Sequence, residues 1–227
     1  MLAPMEPELQ PLVRRLELEP DGDVHRGRHG DVDVVALLTT IGMGAATEAT
    51  KRALEHDLDW VMVVGIAGGV DHSIEIGSVI VPEVVVDRAT GGRFRPSPAG
   101  DIEPRGVLSC GDDLITQRDR IAAMEAEGIV AVDMETAAVA AVCAEHGVPW
   151  SVFRGISDFA DGGLVDDAIF AMTKPDGTAD PDAIASYLAA NPERRTVLEQ
   201  LAHDADLATR AAADAAARAL AGLAERS

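Results

Sequence analysis

Residues 131–163 read AVDMETAAVAAVCAEHGVPWSVFRGISDFADGG, and this stretch decides the fold. The apolar run 129–132 predicts a strand that ends at Asp133-Met134-Glu135. A helix of small residues follows over 136–146. Gly147 is a left-handed stop, and Pro149 cannot continue the helix. The β-branched and aromatic run 150–156 predicts a second strand, ending at Ser157-Asp158. A strand–helix–strand unit of this length implies parallel neighbours joined by a right-handed crossover. Ligands of open α/β sheets bind beyond the carboxyl ends of the strands. Glu135 and Asp158 both stand there, and two carboxylates at such ends suit acid/base chemistry on a small molecule.

Working outward, residues 1–3 read as a first strand, and Leu9, Leu12, Val13 and Leu16 give residues 8–18 helical spacing. Two strands, 24–28 and 32–40, meet at the turn His29-Gly30-Asp31. Gly42 and Gly44 open a helix to about His56. The run 59–66 is apolar throughout, as in strands buried on both faces of a parallel sheet, and it leads into Gly65-Ile66-Ala67-Gly68-Gly69. A strand is expected over 77–86, with Pro82 marking an edge or bulge. Residues 89–105 read as a loop able to flap over a pocket. A short strand, 107–110, precedes a helix to Glu127 capped by Asp112 or Asp113. Further helices are expected over 165–172 and through the Ala-rich segment 181–226. The order of elements predicts one α/β domain over 1–227, a mixed, mostly parallel sheet flanked by helices, with 164–227 as a helical tail.

Acids outnumber bases 39 to 19, giving a formal charge of −20. That disfavours nucleic acid and anionic membranes as partners. Cys110 and Cys143 lie in apolar runs and read as buried free thiols of a cytoplasmic protein. Glu6 and Glu8 interrupt the first residues, so no signal peptide is expected, and no apolar run reaches the length of a membrane span. The six histidines show no metal-ligand spacing. Gly42-Met43-Gly44 is not a full dinucleotide fingerprint. Neither a metal nor a cofactor is expected.

AVDMETAAVAAV followed by FRGISDFADGG resembles the purine nucleoside phosphorylase and nucleosidase superfamily, and within it the methylthioadenosine/S-adenosylhomocysteine nucleosidases. VVGIAGGVDHSIEIGSVIVPE, TTIGMGAA and PMEPEL are similar to further motifs of that family. The resemblance runs from about Met5 to Gly163. It implies that Asp158 protonates the imidazole-side nitrogen of a purine so that the base leaves neutral, which requires an acid kept protonated by burial. Ser157 orients that acid or bonds backbone. Glu135 accepts hydrogen bonds from the ribose 2′- and 3′-hydroxyls, and Met134 lies against the sugar. Glu8 activates a water for attack on the anomeric carbon, by the logic of two-carboxylate glycoside hydrolysis. Asp133, Ile66, Gly68, Leu114 and Ile115 complete the substrate-binding set, with Phe94 and Phe170 as candidates for covering the 5′-group. A homodimer is implied, with 89–105 reaching the partner's site.

The main fork is between water and phosphate as nucleophile. Phosphorylases of the superfamily carry an Arg before the glycine loop and a Ser within it. Here no Arg is present, and Ile66 stands at the Ser position, which favours water. The family's base-stacking aromatic is replaced by Leu114, so a nucleosidase for another purine nucleoside, such as futalosine or a hopanoid precursor, is a further reading. A binding module that kept the pocket and lost turnover is a third.

Overall fold

The computed structural model describes residues 1–162, 167–174 and 176–224. Its elements are β1 (Leu2–Ala3), α1 (Glu6–Leu16), β2 (Glu19–Asp21), β3 (Val24–His29), β4 (Val32–Leu38), α2 (Met43–Leu54), β5 (Val61–Gly69), β6 (Val79–Ile80), β7 (Val84–Asp87), β8 (Arg93–Phe94), β9 (Val107–Cys110), α3 (Arg118–Ala126), β10 (Ile129–Asp133), α4 (Thr136–His146), β11 (Trp150–Phe159), α5 (Asp167–Phe170), α6 (Pro181–Ala190) and α7 (Arg195–Ala224). The strands form one mixed sheet in the order β2-β3-β4-β1-β5-β10-β9-β7-β8, with β11 and β6 joined through the other edge of β5.

β5 is the axis of the molecule. One edge pairs in parallel with β11 from Val61 to Gly69. The other pairs in parallel with β1 at Val63 and, further along, antiparallel with β10 at Gly68 and Gly69. Its side chains alternate between two cores, as the period of a strand requires. Val61, Val63 and Ala67 pack with α2 and α4 on one face. Met62 and Val64 pack with Leu9, Leu12 and Leu16 of α1 and with the alanines of α7 on the other. The α/β expectation of a mixed sheet flanked by helices is therefore met. Among the described residues no helix is long and apolar enough to cross a membrane.

Several local expectations are corrected. β10 and β11 are not neighbours, because β5 lies between them, parallel to one and antiparallel to the other. β11 does not stop at Ser157-Asp158: it runs on to Phe159, with a register shift between Ile156 and Asp158. The run 77–86 is two strands, β6 and β7, separated at Pro82, whose ring removes a ladder donor. α3 starts only at Arg118, and Asp112 caps α2 instead, accepting from the Met43 N–H at 2.7 Å. The loop 89–105 contains β8, where Phe94 pairs with Val85 and packs on the core. The helix expected over 165–172 is seen as α5, and residues 163–166 and the Phe170 side chain lie outside the described residues.

The tail is the largest extension of the reading. α7 is 30 residues long and buries Ala208, Ala212, Ala213, Ala215, Ala216, Ala217 and Ala219. Small side chains allow its backbone to lie directly on β11. A Cβ at Gly155 would stand 2.2 Å from the carbonyl oxygen of Ala208, so a glycine is required at that crossing. This seating brings the preceding turns of α7 over the end of β11.

Candidate active site

The carboxyl end of β5 opens into a cavity of about 740 Å³. Its walls include Glu8, Ile66, Gly68, Leu114, Ile115, Asp133, Met134, Glu135, Ser157 and Asp158, so the fold brings together every residue of the catalytic and binding set expected from the sequence. Phe94 and the rest of the 89–105 loop do not contribute to these walls.

Glu8 sits in the first turn of α1, where a carboxylate is favoured by the exposed N–H groups. Its Oε2 accepts from the Met5 N–H at 2.7 Å, and its Oε1 accepts from the Ile66 N–H at 2.7 Å. It is 1% exposed. A Cβ at Gly65 would lie 2.2 Å from Glu8 Oε1, so glycine there lets the carboxylate lie against the β5 backbone. Burial pushes the Glu8 pKa up to about 7, against the pull of Arg154 and of its two backbone donors.

Glu135 is the N-cap residue of α4 and is buried. Its Oε1 accepts from the Gly42 N–H at 3.1 Å, and its Oε2 from Arg154 Nη2 at 3.3 Å. Burial raises its pKa, the Arg154 charge opposes the rise, and Asp133 and Glu8 add to it. Asp133 turns its carboxylate inward, to Arg154 at 2.6 Å and to the Thr136 hydroxyl. Although it lines the cavity, its work in this structure is to hold that arginine and the start of α4.

Asp158 lies on β11 just past the register shift. There Ser157 is the unpaired extra residue, and bulges of this kind commonly re-aim a side chain beside an active site. The Ser157 hydroxyl donates to Asp158 Oδ1 at 2.6 Å. Burial raises the Asp158 pKa, the Ser157 bond opposes the rise, and the Asp204 charge on α7 adds to it. The site thus holds three carboxyls, Glu8, Glu135 and Asp158, that burial biases toward their protonated forms.

Sequence reasoning missed Arg154. It is wholly buried and sits among Asp133, Glu135 and Glu8, whose Oε1 is 3.8 Å from Nη1. Nη1 has no hydrogen-bond partner among the described residues. A lone arginine in the middle of an apolar strand was the available signal, because such a charge demands buried counter-charges. Also missed were Arg88 and the contribution of the tail, from which Met172, Ile184, Leu188, Leu198 and Leu201 give the cavity an apolar wall.

The family model described as the phosphorylase superfamily matches residues 1–105 and 103–186. The chain belongs to that superfamily. A curated relative from Marinomonas sp. (strain MWYL1), a 5′-methylthioadenosine/S-adenosylhomocysteine nucleosidase, is 30% identical over 169 residues, covering 61% of this chain and 73% of its own. One of the same name from Haemophilus influenzae (strain 86-028NP) is 28% identical over 169 residues, covering 61% and 74%. Among solved structures, the futalosine hydrolase of Helicobacter pylori strain 26695 superposes with a TM-score of 0.72 at 18% identity, covering 97% of this chain and 96% of its own. The methylthioadenosine/S-adenosylhomocysteine nucleosidase of Colwellia psychrerythraea 34H, solved with adenine, gives 0.70 at 22% identity, covering 98% and 93%. At these identities the structural likeness is one of fold.

Proposed function

We propose that the protein is a purine nucleoside N-ribosyl hydrolase, acting on a 5′-modified adenosine such as methylthioadenosine or S-adenosylhomocysteine. The observation that carries this reading is the charge around Arg154. One buried guanidinium faces three buried carboxylates, Asp133, Glu135 and Glu8. A phosphate entering the cavity would meet the acceptor oxygens of Glu8, Asp133 and Glu135, while the guanidinium lies wholly buried behind them, paired with Asp133 at 2.6 Å. Water meets no such obstacle, and in this reading Glu8 takes its proton. The names of the curated relatives support the same reading.

In the mechanism, Asp158 donates its proton to the purine as the glycosidic bond breaks, with Ser157 fixing the carboxyl's orientation. Glu135, at the start of α4, hydrogen-bonds the ribose hydroxyls. Glu8, near neutrality, removes the proton from the attacking water. The reading extends to a homodimer, as the family resemblance implies, and to the cytoplasm, as the two free thiols suggest. Leu114, in place of an aromatic ring, favours futalosine or another purine nucleoside as the second candidate substrate.

The test is a base-release assay on methylthioadenosine, S-adenosylhomocysteine, adenosine, inosine and futalosine, each with and without phosphate. The expected outcome is release of one base at the same rate in both conditions. Release only when phosphate is added would assign the protein to the phosphorylases.

A further inference from the structure

The loop Gly111–Ile115 brings Leu114 and Ile115 to the cavity, and Arg88, at the end of β7, is built into the same wall. Arg88 is unusual in how completely its polar edge is engaged. Nε donates to Asp113 Oδ1 at 3.1 Å and Nη1 to the Ser109 carbonyl at 2.8 Å. Nη2 donates to the Gly111 carbonyl at 2.8 Å, to the Asp113 carbonyl at 3.0 Å and to Asp113 Oδ1 at 2.9 Å. A guanidinium has five N–H donors in a fixed plane, so these bonds lock the plane and leave at most one donor, on Nη1.

One face of that plane is covered. A Cβ at Gly111 would stand 3.1 Å from Cζ, Nε and Nη2 alike, which places Gly111 over the face rather than at the edge. The Arg88 side chain is nevertheless 12% exposed and contributes to the cavity. With its edge bonded to the loop save one Nη1 donor, and one face against Gly111, what the guanidinium has left to offer the cavity is its other face and that donor. A guanidinium face is planar, delocalised and weakly hydrated, and it stacks on aromatic rings, nucleobases included.

We infer that Arg88 is a base-binding residue, whose open guanidinium face stacks on the purine ring and stands in for the aromatic side chain that Leu114 does not supply. The same bonds brace the loop, and Asp112 ties that loop to the Met43 N–H beside Gly42, whose own N–H holds Glu135. Base recognition and ribose recognition therefore share one hydrogen-bonded frame. The inference rests on the nucleosidase reading for its ligand class, and its test is chosen to be read without turnover.

Binding of free adenine and of hypoxanthine is measured by calorimetry on the full chain, for the wild type, Arg88→Lys, and Arg88→Lys combined with Leu114→Phe. Lysine keeps the charge and removes the plane. The expected result is that Arg88→Lys weakens binding of the preferred base about tenfold, in line with the usual worth of a stacked base, and that the added phenyl ring restores most of it. In turnover, KM rises by a similar factor while kcat changes little. Base affinity equal to wild type in Arg88→Lys overturns the inference. So does a loss that Leu114→Phe does not rescue, which would mark Arg88 as a loop brace alone, and so does a wild type that binds neither base. Failure of hydrolysis with base binding intact would instead overturn the nucleosidase reading and leave Arg88 in place.

Discussion

Asp158→Asn abolishes base release, with kcat falling at least about 10²-fold for the loss of a general acid, while nucleoside binding persists. The expectation follows from the surroundings of Asp158. Its carboxyl lies in the cavity wall, oriented by Ser157 at 2.6 Å. Burial and, more weakly, the Asp204 charge hold its proton against that bond. Asparagine keeps the size and the contact with Ser157 but has no proton of that acidity to give. The wild type loses activity as pH rises through the raised pKa of Asp158, because only the protonated acid can act. It loses activity as pH falls below about 7, where Glu8 takes up its proton. A steady-state pH profile beside a binding isotherm for Asp158→Asn checks both parts. A variant that binds and still turns over at the wild-type rate would remove Asp158 from the chemistry.

Arg154→Met destabilises the fold by about 3–5 kcal/mol at neutral pH, the usual cost of removing one partner from a buried ionic cluster. The loss depends on pH, and its sign can be worked out. Glu8 has a folded pKa of about 7 against an ordinary value of 4.5. The folded state therefore binds this proton more tightly than the unfolded chain does. The associated stability is fully present below the ordinary value and is lost as pH rises through the folded one. Arg154 opposes the rise of both Glu8 and Glu135, so its removal drives both pKa values higher and widens that window upward. Thermal melts should show a smaller deficit for the variant near pH 5, where the loss of the Asp133 partner remains, than near pH 8. An equal deficit at both values would mean that the arginine contributes packing rather than charge.

The parts of this site that local sequence could reveal are those whose chemistry conflicts with their surroundings. Glu135 and Asp158 interrupt an apolar segment at the ends of two strands, and such acids must face something other than core. Glu8 gave a weaker signal, because PMEPEL resembles any solvated first turn. Its burial comes with its seat against β5 and Arg154 of β11, and its bond to the Ile66 N–H joins residues 58 positions apart. Strand order is equally non-local. β10 and β11 look adjacent because one helix connects them, yet β5 pairs with both. The tail gave almost no pattern beyond alanine, since small residues that seat a helix on a strand look the same as those of a solvent-facing helix. Its place beside Gly155 and along the cavity becomes visible only with the fold.

The central claim is that water, not phosphate, attacks the sugar. It is tested most directly by running the reaction in heavy-oxygen water with phosphate present and weighing the sugar product. The account predicts a free sugar carrying one heavy oxygen at its anomeric carbon. A sugar 1-phosphate carrying no label from water would contradict it.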